Sequence, residues 1–152
     1  MNDEFAKQTA SLFEQIGESR KMVLSTSIND NVTSRMMSVI IFNGIFYFQT
    51  DQTFRKYEQL QKNSKAALCI DNFQIEGTCK EMGNPLKHDF FCKLYEKYFP
   101  FSYTRYTSLS NERLFALEPT YIKKWIYEEG EPFEEIFDFS KREYRKLAYI
   151  GG

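Results

Sequence analysis

The chain has 152 residues, 42% hydrophobic and 27% charged, which suits one domain with a real core and leads us to expect a single unit over 1–152. A formal net charge of −1 gives no general attraction to a phosphate backbone and argues against nucleic acid as a partner. The polar start MNDEFAKQTA and the shortness of every apolar run lead us to expect neither a secretory leader nor a membrane span, and hence a cytoplasmic protein.

Phe5, Ala6, Leu12, Phe13 and Ile16 recur at helical spacing behind Asp3 and Glu4, with Gly17 near the end. This predicts a first helix packed over an end of a sheet. KMVLSTSI then reads as a strand ending at Asn29-Asp30-Asn31, whose side chains favour tight turns and tolerate positive φ.

The stretch from Thr33 to Lys56 carries the strongest local signal: TSRMMSVIIF, then Asn43-Gly44, then IFYFQT, then TFRKYEQL. Two apolar, β-branched and aromatic runs joined by Asn-Gly predict a hairpin, because a type I′ turn needs positive φ at both central residues. Together with KMVLSTSI these strands form a meander. Imperfect alternation in MMSVIIF predicts burial on both faces, one against the core and the other against a subunit or ligand.

Thr53 is the predicted N-cap of a helix running to about Gln61, with Tyr57 and Leu60 facing inward. Arg55 and Lys56 then fall in its first turn, where cations oppose the helix dipole. They are either solvated surface charges or, with free backbone N–H groups, an anion site that would reverse that cost.

AALCID and QIEGTCKEM read as two further strands, with Gly77 inside the second marking a bulge rather than a ligand contact. Cys69, Cys79 and Cys92 are odd in number and lack CxxC spacing, which argues against a disulfide framework or a zinc site. Free and mostly buried thiols are expected. HDFFCKLYEKYFP predicts a helix with Phe90, Phe91, Leu94, Tyr95 and Tyr98 at helical spacing, stopped by Pro100. RLFALEP and TYIKKWIY read as two late strands. From 128 on, acidic and basic residues segregate, which predicts a solvated tail whose Phe133, Phe137, Phe139 and Tyr144 could pack on a partner chain.

Six or seven short strands in adjacent hairpins, with few helices, indicate a closed or partly closed antiparallel barrel. The sole histidine, His88, cannot build a His-rich metal site, and no Gly-rich phosphate loop or GxSxG occurs. No catalytic set or metal site is therefore assigned. The high aromatic content, 15 Phe and 10 Tyr, fits core and interface packing as well as stacking on a planar ligand.

SRMMSVIIFNGIFYFQTDQTFRKYEQL resembles the core of the pyridoxamine 5'-phosphate oxidase-like family of FMN-binding split β-barrels. The similarity lies in Arg35-Met36, the hairpin, Gln49-Thr50, Arg55-Lys56 and Leu60, and extends loosely from about Met22 to Gly83. It implies a mainly β protein with flanking helices (α+β), a six-stranded antiparallel split β-barrel with its core at about 20–127 and a tail at 128–152. It also implies a homodimer with FMN at the subunit interface.

By position, Arg55 and Lys56 match the phosphate-binding pair. Arg35, Met36, Met37 and Ser38 match the strand whose backbone edges the flavin ring, and Gln49 and Thr50 match the polar end of the next strand. Ile40, Asn72 and Phe54 stand where the oxidase has Lys, Gln and a small residue, and its C-terminal Trp and Arg segment has no counterpart around Trp125. The resemblance thus implies a flavin-binding oxidoreductase acting on a small molecule, with NAD(P)H as an electron donor to test, rather than the oxidase itself. A non-catalytic flavin, haem or deazaflavin binding or sensing protein on the same barrel is the alternative.

Overall fold

The computed structural model describes residues 3–151. Helix α1 (Glu4–Ile16) begins at Asp3, whose carboxylate accepts from the Ala6 N–H, and ends at Gly17, where a φ of 85° suits glycine. Phe5, Leu12 and Ile16 are buried, while Ala6, expected on the same face, is exposed.

Strands β1 (Ser19–Ile28), β2 (Asn31–Phe42) and β3 (Ile45–Asp51) form the predicted meander. Positive φ at Asn29 and Asp30, and at Asn43 and Gly44, closes its two hairpins. After α2 (Arg55–Lys62), β4 (Lys65–Ile70) pairs with both β1 and β5 (Phe73–Gly83). The short α3 (Asp89–Tyr98) and α4 (Pro100–Ser102) precede a π-helical turn over Tyr103–Thr107. Pro100 thus ends α3 as expected but opens another helical turn, since proline is tolerated where its missing N–H is not needed.

Strand β6 (Glu112–Glu128) is one long strand where two were predicted. Its Pro119 interrupts the ladder at a bulge opposite Gly77, which lets the strand bend through a residue that cannot donate. Pairing of β6 with β3 closes the ring in the order β3-β2-β1-β4-β5-β6, a six-stranded antiparallel barrel flanked by helices.

The tail reading is corrected. Residues after 128 form β7 (Glu131–Asp138) and β8 (Glu143–Ala148), which extend the barrel sheet from β6. Phe137 is buried in the barrel core and Phe139 packs edge-on against Phe5 at 5.2 Å, so these aromatics serve their own chain.

One core fills the barrel and reaches α1: Met22, Leu24, Val39, Ile41, Phe46, Phe48, Leu68 and Ile75 pack with Leu12 and Ile16. Each such fully buried side chain contributes roughly 1.5–3 kcal/mol of transfer free energy. A second cluster lies outside the wall, where Phe91 and Tyr95 of α3 cover Ile40, Tyr47, Leu114 and Ala116. The unbroken MMSVIIF run is explained by these two clusters, with α3 of the same chain covering Ile40 on the outer face. The thiols are free, yet only Cys79 is buried; Cys92 is intermediate and Cys69 exposed.

Candidate functional site

The end of β3 and the start of α2 meet at one edge of the second cluster. Asp51 Oδ1 accepts from the Thr53 N–H at 2.8 Å and its hydroxyl at 2.7 Å. That turn corrects the expected cap: Thr53 binds backwards to Asp51, and Phe54 becomes the N-cap without a side-chain cap bond. The Arg55 and Lys56 backbone N–H groups consequently open α2 with no acceptor among the described residues.

Helix α2 is held firmly behind this free end. Leu60 enters the core, and Gln59 Oε1 accepts from Thr26 Oγ1 at 2.5 Å and Thr33 Oγ1 at 2.8 Å. The Tyr57 hydroxyl bonds Glu81 on β5. Arg35 completes the network, donating to Leu24 O at 3.2 Å, Thr26 Oγ1 at 2.9 Å and Thr33 Oγ1 at 2.5 Å. Its guanidinium therefore braces α2 against β1 and β2.

Beside this junction is a cleft of about 400 Å³, within the usual range for small-molecule sites. Six of the residues singled out in the sequence line it: Met36, Met37, Ser38, Gln49, Thr50 and Lys56. Arg35 and Arg55 do not. The opposite wall comes from Tyr95, Ser102, Tyr106 and Leu109, with Glu112 at the start of β6. Sequence reasoning missed these residues because they enter through the β3–β6 closure and the folding of the 89–107 helices over β2, neither of which has a local signature. Asp51 and Phe54, also in the lining, sat unassigned inside the stretch already singled out.

Unspent hydrogen-bonding groups face or border this cleft. Thr50 Oγ1 is buried with no partner among the described residues, an unsatisfied state that costs on the order of 1–3 kcal/mol unless a ligand relieves it. Gln49 Oε1 accepts from Thr107 Oγ1 at 3.0 Å, and its amide nitrogen has no hydrogen-bond partner among the described residues. A larger groove of about 540 Å³ runs along β1, β4 and β5 past Ser25, Ala67 and Glu76, but no orphaned buried polar atom lies in its lining. We therefore take the smaller cleft as the site.

The charges are arranged in two groups. Arg35, Arg55 and Lys56 form no ion pair among the described residues. Burial, then repulsion by Arg55, lowers the Arg35 pKa; burial, then Arg35, lowers that of Lys56. On the other side, the Thr53 hydroxyl and N–H hold Asp51 below the usual carboxylate range. Burial and neighbouring Asp51 push Glu112 up to about 7, with Lys56 pulling the other way. Cations that form no close ion pair among the described residues, beside two free helix N–H groups, are suited to a phosphate. His88 serves elsewhere, with Nε2 at 2.8 Å from the Met82 carbonyl, and no metal-ligand cluster occurs among the described residues.

No family model matches the sequence, and no curated protein matches it. Solved structures do. A pyridoxamine 5'-phosphate oxidase-related, FMN-binding protein from Nostoc punctiforme is 12% identical with a TM-score of 0.63, over 96% of this chain and 95% of that one. PhzG from Burkholderia lata, solved with tetrahydrophenazine-1-carboxylic acid, is 12% identical with a TM-score of 0.62, over 95% and 89%. An F420 reductase is 18% identical with a TM-score of 0.60, over 72% and 94%. At such identities the likeness concerns architecture, and it agrees with the six-stranded closure seen here. The chain has the split β-barrel fold of the pyridoxamine 5'-phosphate oxidase-like, FMN-binding proteins.

Proposed function

We propose that this protein binds FMN in the cleft between β2, β3, α2 and α3 and works as a small FMN-dependent oxidoreductase. The observation that carries the reading is the meeting, in one cleft, of a partnerless buried hydroxyl at Thr50 with Lys56 and an uncapped helix start. Lys56 and the α2 N–H groups would hold the phosphate, with Arg55 adding charge from outside the lining. The Met36 to Ser38 backbone, Gln49 and Thr50 would fix the orientation of the ring and ribityl chain. Tyr95, Tyr106 and Leu109 would exclude water from one side. Bound FMN supplies hydride or electron transfer, chemistry the cofactor carries and the protein only positions.

We also infer a homodimer. Phe101 is 74% exposed, and Tyr106, Leu109, Phe54 and Met36 are exposed apolar groups around the same cleft. A second copy covering them would finish enclosing the ligand.

The test is the visible spectrum of purified protein before and after addition of FMN to a dialysed sample, beside Arg55→Ala/Lys56→Ala. A flavin spectrum retained by the wild type and lost in the double variant, with affinity down at least about 30-fold, is the expected result. Equal retention by both overturns the phosphate site. One structural neighbour is named for F420, so a deazaflavin is the second ligand to add. Reduction of the bound cofactor by NAD(P)H separates an enzyme from a non-catalytic carrier.

A further inference from the structure

Glu112 opens β6 directly across from Asp51, the last residue of β3. It is 6% exposed and lines the cleft, and its carboxylate makes no hydrogen bond or ion pair among the described residues. Like charges opposite one another in an antiparallel pair are destabilising, and a partly desolvated carboxylate at the cleft wall with no cation at ion-pair distance adds to that cost. A wall with no task for this group would be more stable with an apolar or amide side chain there.

The groups around Glu112 decide which form it takes. From β3 comes Asp51, kept ionised by its two bonds from Thr53. From α2 comes Lys56, the cation whose field favours the Glu112 anion. From α3 comes Tyr95, whose phenol is pushed up by burial and so stays neutral. Arg113, next in the chain, spends its guanidinium on the Ser110 and Glu112 carbonyls at 2.8 and 2.7 Å. Lys56 alone thus holds Glu112 in its charged form, and Lys56 is also the cleft's phosphate ligand in the reading above.

We propose that Glu112 is a proton-linked ligand contact: a phosphorylated ligand engages Lys56, Glu112 takes up a proton from solvent, and the neutral acid then donates a hydrogen bond into the cleft. The ligand class is a phosphate monoester joined to an oxygen-rich chain, as in FMN. This inference rests on the flavin site proposed above. With burial and Asp51 already pushing the free group up to about 7, the uptake falls in a range that is simple to titrate. If the bound form requires the neutral acid, affinity follows the protonated fraction and drops about tenfold between pH 6 and pH 8.

The test is FMN titration of the dialysed protein by quenching of flavin fluorescence at pH 6, 7 and 8, for wild type and Glu112→Gln. Gln keeps the shape without the titration, and dividing by its affinity removes the ionisation of the FMN phosphate itself. The expected result is a wild-type to variant affinity ratio about tenfold lower at pH 8 than at pH 6, with riboflavin giving a much flatter ratio. Calorimetry of the wild type at pH 7 in buffers of different ionisation heat, which needs no variant, should show about half a proton taken up per FMN. FMN binding with a pH-invariant or rising ratio and no proton uptake overturns this inference alone. Failure of FMN to bind either protein at any pH overturns the flavin site and this inference together.

Discussion

Single residues in this chain carry more of the site than local signals indicate. Glu112 is the clearest case, since it is a liability to the folded protein before it is a contact. Its pKa is raised from 4.5 to about 7, so the folded state holds this proton more tightly than the unfolded chain does. The group's contribution to stability is most favourable below pH 4.5 and is lost as pH rises through about 7. The ligand-free Glu112→Gln variant should therefore match wild type near pH 4 and exceed it at pH 8 by about 1–3 kcal/mol in urea unfolding. An equal difference at both pH values would mean that the carboxyl is not perturbed. Arg35 has a structural task beside the one the resemblance implies. The resemblance concerns its backbone on the ring-side strand, while its guanidinium, outside the cleft lining, bonds Thr26, Thr33 and Gln59 and joins α2 to the barrel wall.

At the scale of elements, the β5–β6 pair shows how composition becomes geometry. A Cβ on Gly77 would lie 2.4 Å from Leu117 Cδ2 and 2.6 Å from the Glu118 carbonyl oxygen. The side chain could rotate away; the backbone oxygen could not. Gly77 therefore permits the close approach at the Pro119 bulge, and Gly77→Ala should cost about 2–3 kcal/mol in denaturant unfolding by overpacking. A loss under about 0.5 kcal/mol would show that the strands give way easily. The same bend helps carry β6 from β5 round to β3, which brings Glu112 opposite Asp51. Helix α2 was legible as a helix with Leu60 inward, but its cap was not. Asp51 competes for Thr53 two residues on, and the Asx-type turn this forms shifts the start to Arg55.

At the scale of the whole molecule, the exposed apolar groups of the 101–109 segment are the main argument for a second subunit. The proposed homodimer should sediment at about twice the 18.1 kDa chain mass at micromolar concentration. Phe101→Asp, outside the cleft lining, should shift it toward monomer without changing the circular dichroism spectrum. Monomeric wild type under these conditions would overturn the dimer. None of the described helices is long and apolar enough to cross a membrane.

The parts legible in the amino-acid order are those whose cause is local. Asn29-Asp30 and Asn43-Gly44 tolerate the positive φ their turns need, Gly17 ends α1, and the run Met36 to Ser38 with Gln49, Thr50 and Lys56 lies within one hairpin and the helix after it. Sequence by itself thus determined the meander and the barrel class, while the residues of one cleft wall were singled out through the family resemblance. Tertiary structure alone decided the rest, because it depends on contacts between distant residues. Closure of β6 on β3 set Glu112 beside Asp51, α3 brought Tyr95 over Ile40, and pairing to β6 turned a charge-segregated tail into β7 and β8. Charge pattern could not reveal those two strands, since Lys123–Glu134 and Lys124–Glu135 pair across the ladder and present the same composition as a solvated tail.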